Sequence, residues 1–119
     1  MSLLEDHLKW LNLHQEATLE PERPIVDPHH HFWPGEQHYL LEDLWLDTHS
    51  GHNIKKTVFI ECSQEFLKTG DIDFAPVGET IFVKKISDEA KKEKHKTQIE
   101  GIVGPVSYTH LTLPTKRIV

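Results

Sequence analysis

Three consecutive histidines, His29, His30 and His31, lie between Asp27 and the aromatic pair Phe32 and Trp33 in the stretch VDPHHHFW, residues 26 to 33. The preceding run, Pro24 to Asp27, reads as a short buried strand. Side chains alternate along a strand, so His29 and His31 project to one side and His30 to the other. Neutral imidazoles bind zinc at about 2.0–2.1 Å, and two on one face supply half of a tetrahedral site. Asp27 either joins that shell or fixes an imidazole tautomer from outside it. Partly buried, hydrogen-bonded histidines would give the same pattern, and the spacing alone does not choose.

The elements that must hold these residues are legible in outline. Ser2 with Glu5 has the form of a capping box, and Leu4, Leu8 and Leu11 recur at helical spacing, which predicts a helix over 2–15. Glu20 to Pro24 ends any helix and begins an extended segment. Leu40, Leu41 and Leu44 share a face in a short helix that stops near Gly51. Thr57, Val58, Phe59 and Ile60 form the clearest strand, nearly uninterrupted as when both faces are buried. Residues 77–96 predict a helix with Phe82, Ile86 and Ala90 on one stripe and lysines at its end, and 98–104 a third strand. Helices alternating with strands imply an α/β fold whose parallel strands are joined by right-handed crossovers, in a barrel or an open sheet.

Composition narrows the function classes. Among 119 residues, Asp and Glu outnumber Lys and Arg by 19 to 13, and the formal charge of −6 argues against nucleic-acid or anionic-membrane partners. No apolar run approaches the ~20 residues that span a bilayer. The N-terminus has acids and a tryptophan where a signal peptide needs a cationic start. A single cysteine, Cys62, allows no internal disulfide and suits a cytoplasmic setting. No glycine-rich phosphate loop is present, so nucleotide cofactors have no support.

Taken together, PIVDPHHHFW, the strand TVFIEC, the phrase PVGETIFV and the strand GIVG resemble the amidohydrolase-related family of the amidohydrolase superfamily. The first strand in that family ends in Asp-x-His-x-His, matched here by Asp27, His29 and His31, and the resemblance covers about residues 20 to 105. It implies the first three βα units of a (β/α)₈ TIM barrel, preceded by a helix and linker over 1–23. It also implies a divalent metal, most often zinc, held in part by His29 and His31. Such a metal polarises a water or the carbonyl of a small amide or lactone substrate. Related lactonases keep the histidines but work without metal, and other relatives decarboxylate their substrates. Further histidines from middle strands and a final aspartate complete the site in relatives. The resemblance implies a chain truncated before those strands, so the 119-residue chain itself is expected neither to fold stably nor to hydrolyse.

At the carboxyl end of the second strand, Glu61 is a candidate for binding substrate or supporting a histidine. Phe32 and Trp33 are candidates for walling a substrate pocket, with packing under the first loop as the competing role. Cys62 reads as a small buried residue, because nothing near it in sequence supplies a base. The first helix belongs either under a barrel or in a homo-oligomer contact of the intact enzyme. From a different class comes a non-catalytic metal-binding module in which these residues are the whole protein.

Residues 106–119 follow the third strand without transition. Val106 to Thr115, VSYTHLTLPT, match the translation of a transposon end and adapter used in preparing DNA libraries for sequencing. The natural reading frame is therefore expected to break at or near Pro105, and His110 is not a candidate ligand.

Overall fold

A computed structural model describes residues 2–104, so the expectation for 106–119 lies outside the described residues. Helix α1 spans Leu3–Leu11, followed by strand β1 (Pro24–His30), helix α2 (Leu41–Thr48) and strand β2 (Asn53–Ile60). A 3-10 turn over Ile72–Phe74, helix α3 (Val77–Ala90) and strand β3 (Gln98–Val103) complete the order. The three strands are parallel and lie in the order β1-β2-β3. This is a mixed α/β arrangement with consecutive neighbouring strands.

One face of the sheet carries the core. Phe32, Leu44, Trp45, Phe59, Val83, Ala90 and Ile99 are its buried apolar residues, contributed by the loop after β1, by β2 and β3, and by α2 and α3. Period-two alternation on β2 puts Thr57 and Phe59 into that core and leaves Val58 and Ile60 half-buried on the other face. The expectation that the second strand is covered on both faces is therefore corrected. Val26 on β1 is 57% exposed, so apolar side chains of the sheet stand uncovered opposite the helices.

Buried polar groups tie the helices to the strands. The Trp45 indole N–H donates to the Thr97 carbonyl at 2.9 Å, and the Ser87 hydroxyl donates to the Ile99 carbonyl at 3.0 Å. The Thr97 hydroxyl donates to the Ile54 carbonyl at 2.6 Å and lies 2.8 Å from the Thr48 hydroxyl. Each of these buried donors thus meets an acceptor, as a folded interior requires.

Helix α3 ends at Ala90, earlier than its lysine-rich sequence suggests. The cause is Gln98, whose side-chain amide reaches the carbonyls of Ala90, Glu93 and Lys96 at 2.9 to 3.1 Å. Those contacts satisfy backbone acceptors that another helical turn would otherwise occupy.

The capping box of α1 forms as expected: the Ser2 hydroxyl accepts from the Glu5 N–H, and the Glu5 carboxylate accepts from the Ser2 N–H, both at 3.1 Å. The helix stops at Leu11, short of the predicted residue 15, and none of its residues is buried. Leu3, at 90% exposure, shows how little of its apolar surface is covered. Among the described residues no helix is long and apolar enough to cross a membrane.

Candidate metal and substrate site

Parallel strands in sequential order bring their carboxyl ends to one edge, and that edge carries His29, His31 and Glu61. β1 runs to His30, three residues beyond the predicted strand, and it is an edge strand rather than a buried one. Pro28 is tolerated there because an edge strand has one side without a ladder partner. The register slips between Asp27, which pairs with Thr57, and His30, which pairs with Phe59. Three steps on β1 therefore match two on β2, an irregularity of the kind that re-aims side chains at strand ends.

The three histidines separate as alternation predicts. His30 is buried, at 8% exposure, on the core face. Its ring packs edge-on against Phe32 and Phe59 at centroid distances of 4.9 and 5.9 Å. Its Nε2 lies 2.9 Å from the Thr57 hydroxyl, while its Nδ1 is buried without a hydrogen-bond partner among the described residues. His29 is exposed and His31 half-buried, with their ring centres 5.1 Å apart. Two imidazoles on one tetrahedral zinc have ring centres about 5 Å apart, from the zinc–nitrogen distance and the tetrahedral angle. The rings meet edge to face, and the spacing of their centres is compatible with a shared ion. Among the described residues no group of three or more His, Cys, Asp or Glu is arranged to hold a metal.

His31 is fixed in a tautomer suited to ligation. Its Nδ1 lies 2.8 Å from the Ile60 carbonyl oxygen. A carbonyl only accepts, so Nδ1 carries the proton and the Nε2 lone pair is left for another partner. Asp27 acts on the main chain: its Oδ1 accepts the His29 N–H at 3.1 Å, a short turn that holds the approach to the histidines.

The remaining predicted residues divide. Glu61 is half-buried at the strand edge, and its N–H extends the ladder to the Val103 carbonyl at 3.0 Å. Phe32 is fully buried, its ring stacked on Phe59 at 5.8 Å, so it packs the core under the loop instead of walling a pocket. Trp33 packs beside His31, ring centres 5.7 Å apart. With Gly35, Glu36, Gln37 and Gln64 it lines an open cavity of about 290 Å³.

Two residues escaped the sequence reading. Glu79, in the first turn of α3, is fully buried. Both of its carboxylate oxygens accept from the Cys62 N–H at 3.2 Å, and Oε2 accepts from the Gln64 N–H at 2.7 Å. Gly78 beside it lets the loop over residues 65–67 pass against the helix, because a Cβ there would stand 2.3 Å from the Glu65 carbonyl oxygen. The signal was present in the phrase PVGE: a glycine and a carboxylate sit in the first turn of an otherwise apolar helical stripe.

Two pH effects follow from burial. Burial lowers the His30 pKa from 6.5 to about 4, against the opposing charge of Asp27. Below pH 6.5 the unfolded chain takes up a proton that the folded chain refuses, so this contribution is intact above pH 6.5 and is lost as pH falls towards 4. The loss is expected to reach at most about 3 kcal/mol. Denaturant midpoints measured from pH 7 to pH 4 should show it, and His30→Gln should flatten the slope.

Burial, followed by the neighbouring Glu79 charge, raises the Cys62 thiol to about 11. Both influences oppose the thiolate, as expected for a packing thiol. Alkylation of native Cys62 at pH 8 is expected to run about 100-fold slower than in urea, from the two-unit rise in pKa. Equal rates in the two states would contradict its burial beside Glu79.

Compared with known protein families, curated proteins and solved structures, the chain matches none.

Proposed function

We propose that this chain is the N-terminal part of a metal-dependent (β/α)₈-barrel hydrolase acting on a small amide or lactone through a metal-activated water. The observation that carries the proposal is the His29–His31 pair at the carboxyl edge of three sequential parallel strands, with ring centres 5.1 Å apart. The His31 proton committed to the Ile60 carbonyl adds to it. Ligating histidines characteristically give their second ring nitrogen to such an acceptor. In parallel barrels the carboxyl ends of the strands carry the active site.

In this proposal His29 and His31 hold the ion, most suitably zinc, and Asp27 secures the His29 main chain. Trp33 and Gln64 border the space where substrate sits, and Glu61 stands at its rim. A bound divalent ion would supply Lewis acidity, bringing the pKa of a water down to about 7. The remaining ligands and the proton-accepting aspartate would come from later strands.

Two readings on the same scaffold are separated by experiment: a lactonase that uses these histidines only as hydrogen-bond donors, and a decarboxylase. Lactone and amide hydrolysis by the intact enzyme should disappear on chelation and return with zinc. Hydrolysis that survives chelation with no bound metal would establish the metal-independent lactonase. Release of carbon dioxide from a carboxylated substrate would establish the decarboxylase.

A further inference from the structure

Glu79 is a carboxylate buried at 0% exposure, with no ion-pair partner among the described residues. An unneutralised buried charge is costly unless hydrogen bonds and dipoles replace its water. Here the replacement is the Cys62 and Gln64 N–H groups, together with the positive end of the α3 dipole, in whose first turn Glu79 lies. What the carboxylate holds is the segment leaving β2.

That segment touches the histidine strand twice. Ile60, two residues before Cys62, gives its carbonyl to the His31 Nδ1 at 2.8 Å. The Cys62 thiol donates to the Phe32 carbonyl at 3.6 Å, next in chain to His31. One buried carboxylate thus grips the segment leaving β2, and that segment meets the His31 ring and the carbonyl of the residue after it.

We propose that Glu79 is the positioning residue of the histidine pair, acting through the Ile60–Gln64 segment to hold His31 with its Nε2 lone pair free. The inference rests on the proposed metal site. Glutamine at this position would keep one acceptor but turn an N–H₂ group towards backbone donors, so the segment would lose part of its hold. Aspartate would keep the charge but fall short by one methylene.

The test is NMR of the histidine ring nitrogens in the proposed intact enzyme, for wild type, Glu79→Gln and Glu79→Asp, each titrated with zinc chloride. In the wild type, His31 is expected to be protonated at Nδ1, and His29 and His31 to respond together to zinc. In Glu79→Gln the tautomer preference of His31 should be lost and zinc affinity at the pair should fall by about tenfold, as when support to a ligand is removed. Glu79→Asp should change in the same direction and less, and it decides the matter if Glu79→Gln does not fold. A folded variant with unchanged His31 tautomer and unchanged zinc affinity would overturn the positioning role. A wild-type chain whose His31 is not protonated at Nδ1, or whose His29 and His31 ignore zinc, would overturn the metal site together with it.

Discussion

Replacing Gly78 with alanine is expected to destabilise the fold by about 3 kcal/mol, near the upper end for overpacking. The added methyl would lie 2.3 Å from the Glu65 carbonyl oxygen, 2.6 Å from the Leu67 nitrogen and 2.9 Å from the Phe66 carbonyl carbon. All three are backbone atoms, so no side chain can turn aside. The loop itself is already committed: Ser63 and Glu65 adopt positive φ of 61° and 56°, and the Leu67 N–H donates to the Ala75 carbonyl at 2.8 Å. Moving it would also pull the Cys62 and Gln64 N–H groups away from Glu79. Gly35 is the control, because a Cβ there meets nothing within 4 Å and alanine should change stability by no more than about 0.5 kcal/mol. Urea midpoints of the two variants measure the contrast, and equal midpoints would contradict the close approach of loop and helix.

The second large effect concerns the histidine pair. In the proposed intact enzyme, His29→Ala with His31→Ala is expected to abolish zinc binding at the proposed site and to lower kcat/KM by about three orders of magnitude or more. That figure corresponds to the several kcal/mol of transition-state stabilisation a catalytic metal provides. His30→Ala is expected to behave differently. It removes a core side chain packed on Phe32 and Phe59 and hydrogen-bonded to Thr57, so stability should fall while metal content per folded molecule holds. Three adjacent histidines would then show two roles, divided by the face of the strand. The 119-residue chain alone should hydrolyse nothing beyond its own double-alanine control, since the proposed site would draw only two of its ligands from it. Metal analysis and steady-state kinetics of these proteins test this directly. Equal loss of metal from His30→Ala would contradict the division of faces.

The parts of the fold that could be read from sequence are those fixed by local pattern. The Ser2–Glu5 box forms because its partners are three residues apart, and Thr57 to Ile60 form a strand because β-branched and aromatic residues pack well on a pleated surface. The alternation of His29, His30 and His31 was legible for the same reason. The slip between Asp27 and His30 was not, because it depends on how β1 meets β2. The early end of α3 was hidden likewise, since Gln98 closes it from the next strand. Glu79 is the clearest case. Its partners lie 15 and 17 residues away in a loop, so a carboxylate that looks like an ordinary helix-start residue becomes a buried clamp only in three dimensions. Phe32 and Trp33, adjacent in sequence, part company by alternation, one into the core and the other beside the cavity.

The most direct measurement is an accurate, adapter-free read of the gene from the codon for Gly101 onward. A barrel hydrolase requires the frame to run on for roughly 150 to 250 codons, supplying a histidine and an aspartate at later strand ends. That result would make His29 and His31 half of an active site. A genomic frame that reads VSYTHLTLPTKRIV and then stops would contradict the barrel, and with it the assignment of the histidine pair to hydrolysis.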